Sequence, residues 1–312
     1  MNKYIRIMRP DHWIKQLFIF PGFLFAKILI GVELTCAQAI SFLTAFIAVS
    51  LIASANYVIN EWLDAEFDKF HPTKKNRSVV TEDVKSNVVW TLWSILTCAG
   101  FFIGQLINFY FLMMLVCLWI MGIVYNVKPF RTKDIFILDV LSESINNMIR
   151  LLLGWFIVFD ATENPVLPPI SIVLGYWMLG AFLMAIKRYA EYRMIGDPIL
   201  AGKYRKSFKS YSEKSLLTSA FFYAMCSVFF IGVFLVKYRI ELVLFMPFFI
   251  GLFGYYFWLS YEKDSAVQKP EKLYREKWLM AYCFLVAVIF TALMFVDIPQ
   301  LKILTDINLI AL

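Results

Sequence analysis

The chain has 312 residues, 61% of them hydrophobic and 17% charged, and a mean hydropathy of +0.68. That is too apolar for a soluble domain and fits a helical protein that crosses a membrane many times. The net charge of +7 and only two histidines, His12 and His71, argue against a nucleic-acid partner, which needs a basic soluble domain, and against a zinc or haem site. No Walker A loop or Rossmann glycine fingerprint is present, so an ATP-driven pump or a nicotinamide enzyme is unsupported.

Uncharged runs of about 20 residues predict spans at 16–32, 38–60, 86–104, 107–127, 135–159, 166–186, 215–236, 242–261 and 278–296. The expected fold is therefore all-α: a polytopic membrane protein of about nine transmembrane helices in one bundle, spanning 1–312 as a single domain. The N-terminus has no small-residue cleavage site before the first span and reads as a signal anchor. Lys27 lies near the far end of that span, where it can snorkel. The segment from Ser86 to Val127 carries no charge and must hold two helices with a turn near Gly104, Gln105 and Asn108. Cys36, Cys98, Cys117, Cys226 and Cys283 lie in or beside apolar spans without paired spacing, so they are expected to be buried packing residues.

The N-terminus and the loops 61–85, 128–134, 187–214 and 262–277 hold 25 of the 30 Lys and Arg residues. By the positive-inside rule these face the cytoplasm, in the inner or plasma membrane, and the C-terminus lies outside.

The second span ends in Asn60-Glu61-Trp62-Leu63-Asp64-Ala65-Glu66-Phe67-Asp68. On a helix, Asn60, Asp64 and Asp68 share one face. Stacked oxygen ligands at a membrane boundary repel one another unless a cation sits among them, and Mg2+ suits them: it is hard and keeps positions open for phosphate oxygens. An ordinary solvated acidic helix end is the plainer reading. The loop that follows, Lys69 to Ser78, supplies bases, of which Lys74 and Arg77 are best placed for a metal-bridged diphosphate. Positive-inside charge alone would explain part of this loop.

Tyr125, Lys128 and Arg131 precede the fifth span, where Asp139, Glu143, Asn146, Arg150 and Gly154 fall on one helical face. Ionisable groups inside a membrane are costly, face inward and mark a site by default. Arg150 has Glu143 two turns earlier, which makes a buried ion pair one reading and a phosphate headgroup the other. The sixth span ends in Lys187-Arg188-Tyr189-Ala190-Glu191. After it, bases alternate with aromatics through Lys209, as in an interfacial amphipathic helix, either a lid or a plain surface linker.

Together these pieces resemble the UbiA-type intramembrane prenyltransferase superfamily along nearly the whole chain. Within it they are most similar to the branch of decaprenyl-phosphate phosphoribosyltransferases. Arg9-Pro10 with Trp13 and Lys15 looks like the opening R-P-x-x-W-x-K, and Asn60, Asp64 and Asp68 fit the superfamily's N-D-x-x-D-x-x-x-D. His71-Pro72, Lys74 and Arg77 fit the branch's H-P-x-K-x-x-R. Tyr125, Arg150 with Gly154, and Lys187-Arg188-Tyr189-Ala190-Glu191 also look like that branch. Glu61 replaces the usual second-position aspartate, and Ser78 to Glu82 stands where Pro and a small-residue run are usual. The stretch from Ser142 to Asn147 is more polar than the small apolar run usual there. Aromatic prenyltransferases of the superfamily carry a second acid pair after the sixth span, where this chain has Lys187, Arg188 and Glu191.

The resemblance implies a cytoplasm-facing active-site cavity and Mg2+ held by Asn60, Asp64 and Asp68. Phosphoribosyl diphosphate would be the donor and a polyprenyl phosphate the acceptor. Asp64, Asp68, Tyr125 and Lys187 would be catalytic. Lys15, Lys74, Arg77, Lys128, Arg131, Arg150, Arg188, Tyr189 and Glu191 would bind substrate or phosphate, with Lys187 and Arg188 serving the donor's 5-phosphate. Alternatives from the residues alone are an aromatic-acceptor prenyltransferase and a non-enzymatic lipid or ion transporter. Oligomeric state and isoprenoid length are not encoded in these patterns.

Overall fold

A computed structural model describes residues 3–33, 35–160, 164–262, 267, 273 and 275–305. Glu163, Lys269 and most of the loop 262–277 fall outside the described residues. Every regular element among the described residues is helical.

Eight helical segments are long and apolar enough to cross a membrane. The first begins with α1 (Lys3–Met8), continues as a 3-10 segment (Pro10–Ile19) and ends as α2 (Phe20–Ile30). Then come α3 (Cys36–Asp68), a short α4 (Ser78–Thr81), α5 (Ser86–Gln105) and α6 (Phe109–Asn126). After α7 (Leu138–Phe156) and α8 (Ile170–Ile195) the chain forms a small α9 (Pro198–Tyr204), then α10 (Glu213–Tyr238). A 3-10 turn (Ile240–Phe245) leads into α11 (Met246–Leu259), and α12 (Lys277–Phe295) follows. The ninth long helix is α7, whose Asp139, Glu143 and Arg150 make it too polar to count as a lipid-facing span; its neighbours hide its polar stripe.

The predicted spans hold, with three differences at their ends. The first span is interrupted: Pro10 and Pro21 sit at helix starts and the segment between them is wound as 3-10. At about 1.5 Å per residue, the 33 residues of α3 reach about 50 Å, well beyond a hydrocarbon core of about 30 Å. Its last turns, with Asn60, Asp64 and Asp68, therefore stand at the membrane boundary while remaining helical. Likewise α8 continues to Ile195, past the predicted end at 186.

Packing is most extensive between α8 and α10, α3 and α5, α7 and α8, and α2 and α7. The α2–α7 contact is close because glycines permit it. A Cβ on Gly154 would lie 1.9 Å from the Ile19 carbonyl oxygen, and one on Gly22 would lie 1.9 Å from that of Leu151. Asn108 closes the opposite end of the bundle: it caps α6 by accepting from Phe111 N–H, and its amide donates to the carbonyls of Phe156 and Phe159 at 2.7 and 3.1 Å. Lys27, buried, donates to the Glu33 carbonyl and to Gln38 Oε1, so it is satisfied locally without snorkelling. All five cysteines are free, but Cys36 and Cys98 are exposed and none is fully buried, which corrects the packing expectation: these spans turn their cysteines toward lipid or the bundle margin.

Candidate active site

The acidic end of α3, the end of α6, the start of α7, the end of α8 and the segment 197–211 meet at one end of the bundle. Alternation of the spans brings them there. The helix register brings Asn60, Asp64 and Asp68 to a common face, and each meets a polar partner from elsewhere in the chain. Asn60 donates to Asn126 Oδ1 at 2.5 Å and to Asp64 at 3.3 Å. Asp64 is paired with Arg131 at 2.9 Å and Lys133 at 2.5 Å. Asp68, buried, takes Arg77 at 2.7 Å. Glu61 lies 3.5 Å from Arg9 and 3.6 Å from Arg77, so its longer arm points to the basic loop and away from the Asp64 side. Arg131 adopts a left-handed backbone with φ 33°, a costly conformation for a side chain with a Cβ. It puts the guanidinium within reach of Asp64, Asp134 and the Asn126 carbonyl together.

Two carboxylates and an amide on one face offer the hard oxygen donors that Mg2+ takes, and their bases can turn from carboxylate to phosphate oxygens. The donor set therefore fits a divalent cation. Burial pulls the Lys133 ammonium down to about 8 against the opposing pull of Asp64.

A second cluster ties the basic loop to α8. Lys74 pairs with Glu191 at 2.7 Å and donates to the Tyr204 hydroxyl. Burial works against the charge on Lys74, but Glu191, Tyr204 and Asp68 together outweigh it and raise its pKa. His71 accepts at Nδ1 from the backbone N–H groups of Thr73 and Lys74, both at 3.1 Å, and packs edge-on against Tyr204. Burial first, then the Lys74 charge, hold its pKa down to about 3, so it stays neutral. This imidazole folds the turn that aims Lys74 and Arg77.

The third cluster centres on Arg188, which is wholly buried. It donates to Asp139 at 3.3 Å, Glu191 at 3.1 Å, the Tyr125 hydroxyl at 3.0 Å, and Glu143. Asp139 also accepts from Ser207 at 3.1 Å and Tyr211 at 2.8 Å. The Tyr125 hydroxyl donates to Glu143 at 2.6 Å and accepts from Arg205 at 3.2 Å. The segment 204–211 is thus pinned onto these clusters by Tyr204, Arg205, Ser207 and Tyr211, which favours a cover over a plain surface linker.

Several expected site residues sit differently. Arg188 gives four of its five N–H donors to protein groups and so holds the network together, which leaves at most one for a phosphate. Arg150 pairs with Gln16 and Asn147 and not with Glu143, whose partner is Arg188. Lys128 is exposed at the rim. Tyr189 points away, its hydroxyl near Arg193 at 3.3 Å. Lys15 contacts His12 Nδ1 at 3.1 Å. Lys187 is half-buried and makes no hydrogen bond or ion pair among the described residues, although it lies in the electrostatic field of Glu143, Glu191 and Lys15. Asn126, Lys133, Glu143, Asp139 and Arg205 belong to the cluster but were not singled out as ligands; the polar run from Asn126 to Lys133 was the available signal.

Residues 20–280 match the UbiA prenyltransferase family. The chain belongs to that family. It is a multi-span membrane protein of a transferase family. The fold is similar to a UbiA homologue from Archaeoglobus fulgidus bound to GPP and Mg2+, with a TM-score of 0.67 and 20% identity, covering 91% of this chain and 99% of that one. A decaprenyl-phosphate phosphoribosyltransferase of Mycolicibacterium smegmatis is 29% identical over 213 residues, or 68% of this chain and 63% of the relative's length. That of Mycobacterium tuberculosis H37Rv is 26% identical over 213 residues, or 68% and 67%.

Proposed function

We propose that this UbiA-family protein transfers the 5-phosphoribosyl group of phosphoribosyl diphosphate to a polyprenyl phosphate, releasing diphosphate. The observation that carries the reading is the end of α8. A half-buried Lys187 with no hydrogen bond or ion pair among the described residues lies there in the electrostatic field of Glu143 and Glu191, where a prenyl diphosphate donor would call for a second acid pair. Extra bases suit a donor with an additional phosphate. The relatives named decaprenyl-phosphate phosphoribosyltransferase support the same substrate class.

In this reading Asp64, Asp68 and Asn60 would hold Mg2+, and the bound cation would supply neutralising charge to a diphosphate leaving group. Arg77, Arg131 and Lys133 turn from the carboxylates to the diphosphate oxygens, and Lys187 reaches the 5-phosphate. The C1–oxygen bond to diphosphate breaks with its electron pair leaving on the diphosphate. A lipid phosphate oxygen forms the new bond to the oxocarbenium-like C1. That oxygen is already anionic, so no strong general base is needed; the protein's work is leaving-group stabilisation in a water-poor cavity. The cover formed by 204–211, tied to Lys74, Tyr125 and Asp139, would limit the entry of water to the reacting groups. The basic loops and the N-terminus face the cytoplasm, where the soluble donor is found.

The deciding experiment is purified protein with Mg2+, labelled phosphoribosyl diphosphate and a polyprenyl phosphate. Label should appear in the lipid phase. Its absence, with transfer of a prenyl group from a prenyl diphosphate to an aromatic acceptor instead, would overturn the proposal.

A further inference from the structure

Arg150 lies 12 residues into α7 and about 10 Å along the helix from the site residue Glu143, inside the bundle. A guanidinium at that depth is normally paired with a carboxylate, yet none lies within ion-pair distance of it among the described residues. Its partners are neutral: Nε donates to Gln16 Oε1 at 2.9 Å and Nη1 to Asn147 Oδ1 at 3.3 Å. Gln16 is wholly buried, and its amide nitrogen has no hydrogen-bond partner. A buried amide donor with its hydrogen bond unmade, a costly state, therefore lies beside a guanidinium held by neutral acceptors.

The surroundings fix this pair in place. Gly22 against Leu151 and Gly154 against Ile19 bring the first span and α7 into backbone contact on either side of it. Gly180 of α8 packs against the Asn147 side chain. Tyr57 and Tyr176 lie within electrostatic range of Arg150, and Tyr176 is itself tied to the Phe18 carbonyl at 3.2 Å. Neither Arg150 nor Gln16 touches Asp64, Asp68 or the bases that cap them. A preorganised cation with an adjacent amide donor in a low-dielectric wall suits one tetrahedral oxyanion.

We propose that Arg150 and Gln16 form a second anion site, distinct from the Asp64–Asp68 centre, which seats the phosphate monoester of the lipid acceptor. This rests on the transfer reading above. It separates the two phosphates of the reaction: the donor's lie with the bases at the bundle end, the acceptor's with Arg150 deeper in, where an isoprenoid tail can leave between apolar helices.

The test uses the full chain in detergent without any phosphoribosyl donor, with farnesyl phosphate as probe and farnesol, inorganic phosphate and phosphatidylglycerol as competitors. Wild-type protein should bind farnesyl phosphate and lose it to none of the three at equal concentration. Gln16→Glu gives Arg150 an internal counterion, so it should keep or raise the unfolding temperature while weakening farnesyl phosphate binding at least tenfold. Arg150→Met should weaken binding as much, and Arg150→Lys should restore part of it. Unchanged binding in Gln16→Glu would overturn the site. Equal competition by farnesol would leave only a tail groove, equal competition by inorganic phosphate only a free-anion site, and equal competition by phosphatidylglycerol only a structural lipid site. In turnover, the same variant should raise KM for polyprenyl phosphate tenfold or more with KM for phosphoribosyl diphosphate within twofold; a rise confined to the donor would also overturn it. If the probe binds as described but no phosphoribosyl transfer occurs, the transfer reading fails and the anion site stands.

Discussion

Replacing Arg188 with methionine should cost stability before it costs ligand affinity. Its guanidinium is the shared counterion of the buried Asp139 and Glu191 and the partly exposed Glu143. Stripping one partner from a buried ion pair costs about 3–5 kcal/mol because a charge is left uncompensated. Here Glu191 keeps Lys74 and Asp139 keeps the Ser207 and Tyr211 hydroxyls, so the lower end, about 3 kcal/mol, is expected. Adding Asp139→Leu to Arg188→Met removes a second charge and should return part of the loss, since contacting residues couple. Thermal unfolding in one detergent measures the cycle, and calorimetric titration of the folded fraction measures phosphoribosyl diphosphate and inorganic diphosphate. A variant with wild-type unfolding temperature that loses only phosphoribosyl diphosphate affinity, by one or two decades, would mean Arg188 binds the 5-phosphate directly and the network account is wrong.

Lys187→Ala should do what Arg188→Met does not: weaken phosphoribosyl diphosphate about tenfold or more relative to inorganic diphosphate, from a lost charge-assisted contact of about 1.5–3 kcal/mol; equal losses would return the aromatic-prenyltransferase reading. Asp64→Ala and Asp68→Ala should each abolish turnover with the fold intact in detergent, and substantial activity at saturating Mg2+ would remove that residue from the metal set. Because the folded pKa of His71 lies near 3, below the ordinary value of about 6.5, the unfolded chain binds the extra proton in acid. His71 should therefore contribute about 1.4 kcal/mol per pH unit to the loss of stability as pH drops from about 6.5 toward 3, and His71→Asn should lessen the slope by that amount; an unchanged slope would place the titration elsewhere. For topology, Ser78, Lys133 and Ser207 are too buried for thiol labelling. Cysteines at the exposed Lys75, Lys128 and Lys203 should be shielded from an impermeant reagent in intact cells and one at Asn164 should react, the reverse pattern meaning an inverted bundle.

The helices were legible because lipid leaves the backbone no partner but itself, so an uncharged run of the right length can do little else. The α3 register was legible too: period four places Asn60, Asp64 and Asp68 together whatever surrounds them. What the sequence did not reveal was which charge answers which. Glu143 sits near Arg150 along α7, yet its partner is Arg188, 45 residues on. Arg150 instead meets Gln16, 134 residues away. Asp64 takes Arg131 and Lys133 from a loop whose left-handed residue no periodicity announces. Such pairings depend on how helices cross, and in this bundle the crossings are set by glycine contacts as small as one missing methyl group.

The ion pairs on Asp64 and Asp68 have a consequence for how the protein is made. Carboxylates that carry their own counterions need no metal to be tolerated at the membrane boundary while the chain is inserted and its helices assemble. If Mg2+ loads this site as proposed, biogenesis is uncoupled from the cell's magnesium supply: the chain can fold first and be loaded afterwards. Depletion of the cation would then leave a pool of intact protein that recovers activity at once on resupply, with no new synthesis.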